Sequence, residues 1–319
     1  VFIGGGTPSV LSGEQLCRIM DEIKQAFILS EDAEITMEAN PGTVSPEQLK
    51  LCHEAGINRI SFGLQSTVQQ ELDMLGRIHT YEEFLQSYHW ARKAGFSNIN
   101  VDLMFAIPGQ TCESWKHNLE TVAELSPEHI SAYSLIIEEG TPFAQKKLIL
   151  PTEDEEYQMY EDTAEILRKY GFHQYEISNY ARDGFECRHN KGYWQRTEYL
   201  GAGLGAASLF QGKRFSNTRD MQTYLADSTE PEKIREDVTA LSRNNEIEEF
   251  MFLGLRMTEG ISERQFERNF GCRIEDIYGS VLAKYKEMDL LEHKGEFWRF
   301  TRKGIHVSNP VLADFLLDE

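Results

Sequence analysis

The feature that most constrains the fold is an alternation of strand and helix patterns through the first half of the chain. A strand at 1–4 is followed by Ser12, placed to cap a helix over 14–28 whose Leu16, Ile19, Met20, Ile23 and Phe27 share one face. A strand at 33–40 turns at Pro41-Gly42, and Ser45 caps a helix begun by Pro46. A strand at 57–62 and a short helix at 67–75 follow. Thr80 then caps the helix YEEFLQSYHWARKAG, which stops at Gly95. The pattern continues with a strand at 96–106, a helix from Thr111 to about Leu125, a strand at 129–137, a long helix from Thr152 to Gly171 and a strand-like stretch at 172–178. Such a run implies parallel strands, right-handed crossovers and helices on the outside.

Polar residues recur where these strands end: Thr7, Glu38, Gln65, Asp102 and Ser134. In a barrel that end is the active face. In a doubly wound sheet the ligand lies in a crevice on the same side. The glycine-rich turn at the start lacks GxGxxG, and no acidic residue follows it at the Rossmann interval. The expected α/β architecture is therefore an open, incomplete (β/α) barrel over 1–178.

The character of the chain changes over 179–230, a glycine- and aromatic-rich connecting segment that carries HNxxYW. From 231 to 319 it reads as helical, with three helices and a hairpin at Lys294-Gly295, a C-terminal winged-helix-like domain. No basic recognition helix is evident, so a packing or lid role is expected there rather than DNA binding. The 52 acidic against 32 basic residues argue the same way, because nonspecific nucleic-acid binding needs clustered cations. Five widely spaced cysteines without CxxC spacing read as free thiols of a reducing, cytoplasmic protein. No apolar run is long enough for a membrane span, which leaves transient membrane association open, and no signal peptide is expected.

Several residues are candidates for chemistry. Gly4-Gly5-Gly6-Thr7-Pro8 is either a tight turn or a ledge where backbone meets a ligand. Glu38 is either a solvated acid or a partner for a ligand ammonium. Gln65 offers donor and acceptor, suited to a ribose hydroxyl. Arg77 is either half of a surface ion pair or a fork for a carboxylate. Asp102 interrupts an apolar strand, and burying it demands a polar partner or a ligand. His129 reads as structural. His189, Tyr193 and Trp194 either seal an interface or offer an iron ligand and flat apolar surfaces.

Taken in order, GGGTP, Glu38, Gln65, Arg77, Asp102-Leu103-Met104, HNxxYW and the C-terminal module resemble the radical S-adenosylmethionine (SAM) superfamily. Within it they resemble the oxygen-independent coproporphyrinogen III oxidase family, and the HNxxYW segment favours that family's haem-chaperone branch. The resemblance covers nearly the whole chain. It implies a partial barrel of radical SAM type, with Gly5, Gly6 and Thr7 near the methionine moiety of SAM and Glu38 and Arg77 at its polar end. It further implies that Gln65 and Asp102 lie on the ribose side, Met104 near the adenine, and His189, Tyr193 and Trp194 at bound haem. The family also carries CxxxCxxC ahead of the GGGTP strand, to hold a 4Fe-4S cluster. That motif is absent here, so the cluster-binding N-terminal segment is expected to be missing and radical chemistry is not expected of the chain as written. Ala207 stands where relatives commonly have histidine.

The implied function is haem binding and transfer to an unidentified acceptor protein, with cluster and SAM in the complete protein. The alternatives are SAM-dependent oxidative decarboxylation of coproporphyrinogen III and a non-catalytic remnant of the fold. Whether the chain is an enzyme stays open at this point.

Overall fold

In the computed structural model, which describes residues 1–141 and 143–317, the strand–helix alternation closes into a curved sheet. The chain runs β1 (Phe2–Ile3), α1 (Gly13–Ala26), β2 (Thr36–Ala39), α2 (Pro46–Glu54), β3 (Arg59–Gln65), α3 (Gln69–Met74), α4 (Tyr81–Ala94), β4 (Ile99–Phe105), α5 (Cys112–Glu124), β5 (His129–Ser134) and α6 (Glu153–Lys169). Local chemistry sets the helix starts. Ser12, Ser45, Thr80 and Thr152 each close a capping box with the residue three places on. Gly95, at φ +108°, ends α4 as expected.

The strand order decides between the two α/β architectures. β1 to β5 pair in parallel in sequence order, so each crossover moves the same way and every helix falls on one face. A doubly wound sheet would reverse direction part-way. The result is an open α/β barrel of the expected kind. Beyond β5 the sheet turns antiparallel through β6 (His173–Gln174) and β7 (Asn179–Ala181), in the order β5-β7-β6. The strand read at 172–178 is thus reduced to two residues.

Side-chain alternation gives the sheet two chemically different faces. Met37, Ile60, Phe62, Val101, Leu103 and Ile130 pack with the helices into the first core. Thr36, Glu38, Arg59, Ser61, Asn100, Asp102, His129 and Ser131 occupy the alternate positions, facing the inside of the curve. A barrel interior filled only for stability is dominated by branched apolar residues. This one is polar.

The chain divides into compact units Val1–His189 and Asn190–Glu319, with the division inside helix α7 (Arg188–Trp194). The segment read as a connection over 179–230 therefore contributes to both. In the second unit β8 (Ala207–Phe210), β9 (Lys213–Asn217) and β10 (Arg235–Ala240) form an antiparallel sheet in the order β10-β9-β8, with α8 (Met221–Asp227) and α9 (Pro231–Ile234) between β9 and β10. This corrects the helical reading around 236–240. The side chains of β10 are mostly exposed, so no apolar alternation marks it in the sequence.

Next come α10 (Arg243–Gly254), β11 (Ile261–Ser262), α11 (Glu263–Phe270), α12 (Ile274–Glu287), the hairpin β12 (Leu291–Lys294) and β13 (Phe297–Phe300), then α13 (Arg302–His306) and α14 (Ser308–Ala313). The hairpin turns at Gly295, φ +66°, and β11 pairs with β13. Helices α10 to α14 and the small antiparallel sheet β11-β13-β12 make the C-terminal part winged-helix-like. Its core includes Phe250, Phe266, Phe270, Tyr278, Leu282, Leu291 and Trp298.

Candidate functional site

The glycine ledge after β1 divides its labour residue by residue. A Cβ on Gly4 would lie 2.5 Å from the Phe2 ring and 2.8 Å from the Glu38 carboxyl carbon, so a larger residue there would have to displace one of these side chains. Gly5, at φ +79°, donates its N–H to Glu38 Oε2 at 3.1 Å. Above Gly5 and Gly6 a Cβ would meet nothing within 4 Å: the ledge borders open space. Thr7 Oγ1 accepts from Asn40 Nδ2 at 3.1 Å, which ties the ledge to the end of β2.

The other candidates converge on this mouth from the ends of β2, β3 and β4. Burial pushes the Glu38 carboxyl up, the Gly5 N–H opposes that, and the charge of Asp102 adds to it. Arg77, in the turn after α3, is pushed down by burial and held up by the same Asp102. Asp102 is thus the electrostatic neighbour of both. Its own carboxyl is raised by desolvation, against hydrogen bonds from Asn100, Ser131 and Ser61 and the charge of Arg59. Asn100 Nδ2 donates to Oδ1 at 2.8 Å and Ser61 Oγ to Oδ2 at 3.1 Å, so the polar partner the sequence demanded is present. Met104, half-buried, stands two places on from Asp102 on the same face.

Gln65 is nearly buried and holds φ +72°, at an irregularity in the pairing of β3 with β4. Its amide nitrogen lies 3.2 Å from where a Cβ on Gly63 would stand. Among the described residues neither Glu38 nor Arg77 forms an ion pair. An acid and a base without salt-bridge partners beside an open glycine ledge have the chemistry to pair with an ammonium and a carboxylate, respectively.

Deeper in the curve lies a network that the sequence reading did not assign. Asn100 Nδ2 also reaches Ser61 Oγ, and its Oδ1 accepts from His129 Nδ1 at 2.6 Å and from Ser131 Oγ at 3.2 Å. His129 Nε2 meets the Tyr175 hydroxyl at 2.8 Å. His129 is fully buried, held neutral by desolvation first and by Arg59 second, and both its ring nitrogens are taken up by these protein hydrogen bonds. The signal was available in the sequence: Arg59 and Ser61, Asn100 and Asp102, and His129 and Ser131 repeat at the two-residue period of a strand.

His189 closes the first unit, whereas Tyr193 and Trp194 belong to the second. The His189 ring stacks on Phe2 with centroids 4.2 Å apart and planes 12° from parallel. Burial chiefly, with Arg59 assisting and Glu34 opposing, pushes its pKa down. The imidazole is neutral at pH 7, the form that binds a metal. The segment starts on Glu34, whose carboxylate accepts the N–H groups of Arg188 and His189 at 2.9 and 3.2 Å. Tyr193 is exposed and meets Tyr199 edge-on at 4.7 Å. The Trp194 ring is covered by Arg256 at 4.4 Å and borders a cavity of about 70 Å³ with Phe250, Met257, Ile261 and Phe297. That volume is far below the roughly 300 Å³ at which ligand pockets begin. Among the described residues no three His, Cys, Asp or Glu side chains are grouped to hold a metal, so a 4Fe-4S cluster finds no ligand set here.

Comparison with known proteins accounts for this arrangement. A family model described as the radical SAM superfamily matches residues 1–122, and one described as the HemN C-terminal domain matches 241–307. The Heme chaperone HemW of Lactococcus lactis is 40% identical over 100% of this chain and 85% of its own length. That of Escherichia coli is 33% identical over 100% and 84%. The mitochondrial radical S-adenosyl methionine domain-containing protein 1 of Danio rerio is 35% identical over 100% of this chain and 75% of its own. The solved coproporphyrinogen III oxidase (HemN) of Escherichia coli superposes with a TM-score of 0.85 over 99% of this chain and 77% of its own, at 23% identity, which establishes the shared fold. With identities of this size running over its whole length, the chain belongs to the HemN/HemW family of the radical SAM superfamily.

Proposed function

We propose that this chain is a haem chaperone that binds haem and passes it to an acceptor protein, with SAM held at the mouth of its barrel. The observation that carries the haem reading is His189: a neutral imidazole, stacked on Phe2, at the head of HNxxYW. The likeness to proteins named Heme chaperone HemW supports it over the oxidase, for which the structural likeness at 23% identity carries the fold alone. In this reading His189 is the iron ligand, and Tyr193 supplies an exposed aromatic face.

For SAM, the open ledge of Gly5 and Gly6 takes the methionine end, with Glu38 on its ammonium and Arg77 on its carboxylate. Gln65 and Asp102 take the ribose side and Met104 packs at the adenine. Reductive cleavage of SAM to methionine and an adenosyl radical would take an electron from a 4Fe-4S cluster, for which these residues supply no ligand set, so no radical step is assigned to them. In this reading the residues of this chain orient SAM. The five free cysteines fit a reducing compartment, and a cytoplasmic location is part of the same proposal. No helix among the described residues is long and apolar enough to cross a membrane.

Titration of the purified chain with haem tests the reading through the Soret band. Binding with a shifted band is expected, and His189→Ala is expected to weaken it at least tenfold. An unshifted band with the unsubstituted chain overturns it.

A further inference from the structure

Gln65, at φ +72°, sits in a left-handed backbone region that non-glycine residues occupy at a cost, and such strain persists only where the surroundings impose it. The structure shows what imposes it. Ser66, the next residue, donates its hydroxyl to Glu71 Oε2 at 2.6 Å, and its Oγ accepts the N–H of Val68 at 2.9 Å. Thr67 donates both its N–H and its hydroxyl to Asn118 Oδ1. Asn118 Nδ2 in turn donates to Glu71 Oε2 at 3.0 Å. Gln110 Nε2 reaches the same oxygen at 2.9 Å, and Ser114 Oγ takes the other.

Glu71 is 6% exposed and Asn118 fully buried. Among the described residues no cation pairs with Glu71; it is held by hydrogen bonds from the loop after β3, the loop before α5, and α5 itself. Nothing in the SAM reading uses this carboxylate, which lies on α3 between Gln65 and Arg77.

We infer that Glu71 and Asn118 are positioning residues: their network clamps Ser66 and Thr67, holds Gln65 in its left-handed conformation, and so aims the Gln65 carboxamide at the ligand in the barrel mouth. The inference rests on the SAM reading for the identity of that ligand, but the clamp itself is testable without it. Replacing Glu71 by alanine removes the acceptor shared by Ser66, Gln110, Ser114 and Asn118 and leaves buried donors of the network without it.

The test has two arms. Without ligand, amide hydrogen exchange at Thr67 and Val68 is expected to rise at least tenfold in Glu71→Ala relative to amides of β4. Unchanged exchange overturns the clamp. With SAM as the probe, equilibrium dialysis of a double-mutant cycle reads the positioning. Glu71→Ala is expected to weaken SAM binding about tenfold in the normal background and less than twofold in the Gln65→Ala background, where no carboxamide remains to be aimed. Equal losses in both backgrounds overturn the positioning role in favour of a general structural one. Failure of the unsubstituted chain to bind SAM overturns the ligand reading and leaves the exchange arm to decide the clamp.

Discussion

At the scale of single residues, the inside of this barrel keeps titratable groups in the state their burial dictates. His129 is the clearest case. Desolvation, then the charge of Arg59, holds its folded pKa well below the ordinary 6.5. Below that value the unfolded chain accepts a proton that the folded chain refuses, so stability falls as pH falls from about 6.5 toward the folded pKa. One such group changes stability by at most about 1.4 kcal/mol per pH unit, hence about 2 kcal/mol between pH 6.5 and 5. His79 and His189 are shifted in the same direction and add to the slope. Urea midpoints at pH 7 and pH 5 should therefore differ markedly for the natural chain and less for His129→Asn. The same difference in both proteins would rule out His129 as a source of acid sensitivity.

At the scale of elements, one carboxylate joins three of them in the second unit. Glu249 on α10 accepts from Arg196, just after α7, at 2.8 Å, and from Arg214 on β9. Burial raises its pKa, but the hydrogen bonds and charges of Arg214 and Arg196 outweigh burial and leave it lowered. A lowered carboxyl contributes stability that is present above its unfolded value and is lost as pH falls through the folded one. Glu249→Gln should cost about 2 kcal/mol at pH 7, less than a fully buried pair because the arginines keep some contact with water. Denaturant unfolding should show that deficit shrinking toward pH 3, whereas a deficit that persists there would mean packing rather than charge is lost.

Helix caps such as Ser12, Ser45, Thr80 and Thr152 were legible in the sequence because a cap is a contact over three residues. The barrel was legible because each βα unit repeats local signals. β10 was not, since antiparallel pairing with β9 holds it rather than an apolar pattern of its own. At the mouth, Glu38, Gln65 and Asp102 stood out as polar residues at strand ends, and Arg77 as a cation in the following LGRIH stretch. Glu71 did not, because its meaning comes from Asn118 and Gln110, far along the chain.

At the scale of the whole molecule, each unit carries its own core, one built on the barrel strands and helices and one on the C-terminal helices and hairpin. Every residue assigned to SAM lies in the first unit. A ligand that binds only the folded form of one unit stabilises that unit by RT ln(1 + [L]/Kd), about 2.7 kcal/mol at a hundredfold excess over Kd. Where two units open separately, only the amides of the liganded one gain that protection. Hydrogen exchange with saturating SAM should therefore slow the core amides of β3 and β4, at Phe62, Val101 and Leu103, by about a hundredfold. The core amides of the second unit, at Phe266, Leu282 and Trp298, should be unchanged. Equal slowing in both sets would mean that the chain opens as one cooperative body, so that SAM at the barrel mouth stabilises the winged-helix-like part as well. Slowing confined to the second set would place the ligand outside the barrel and remove the basis for assigning Glu38, Gln65, Arg77 and Asp102 to it.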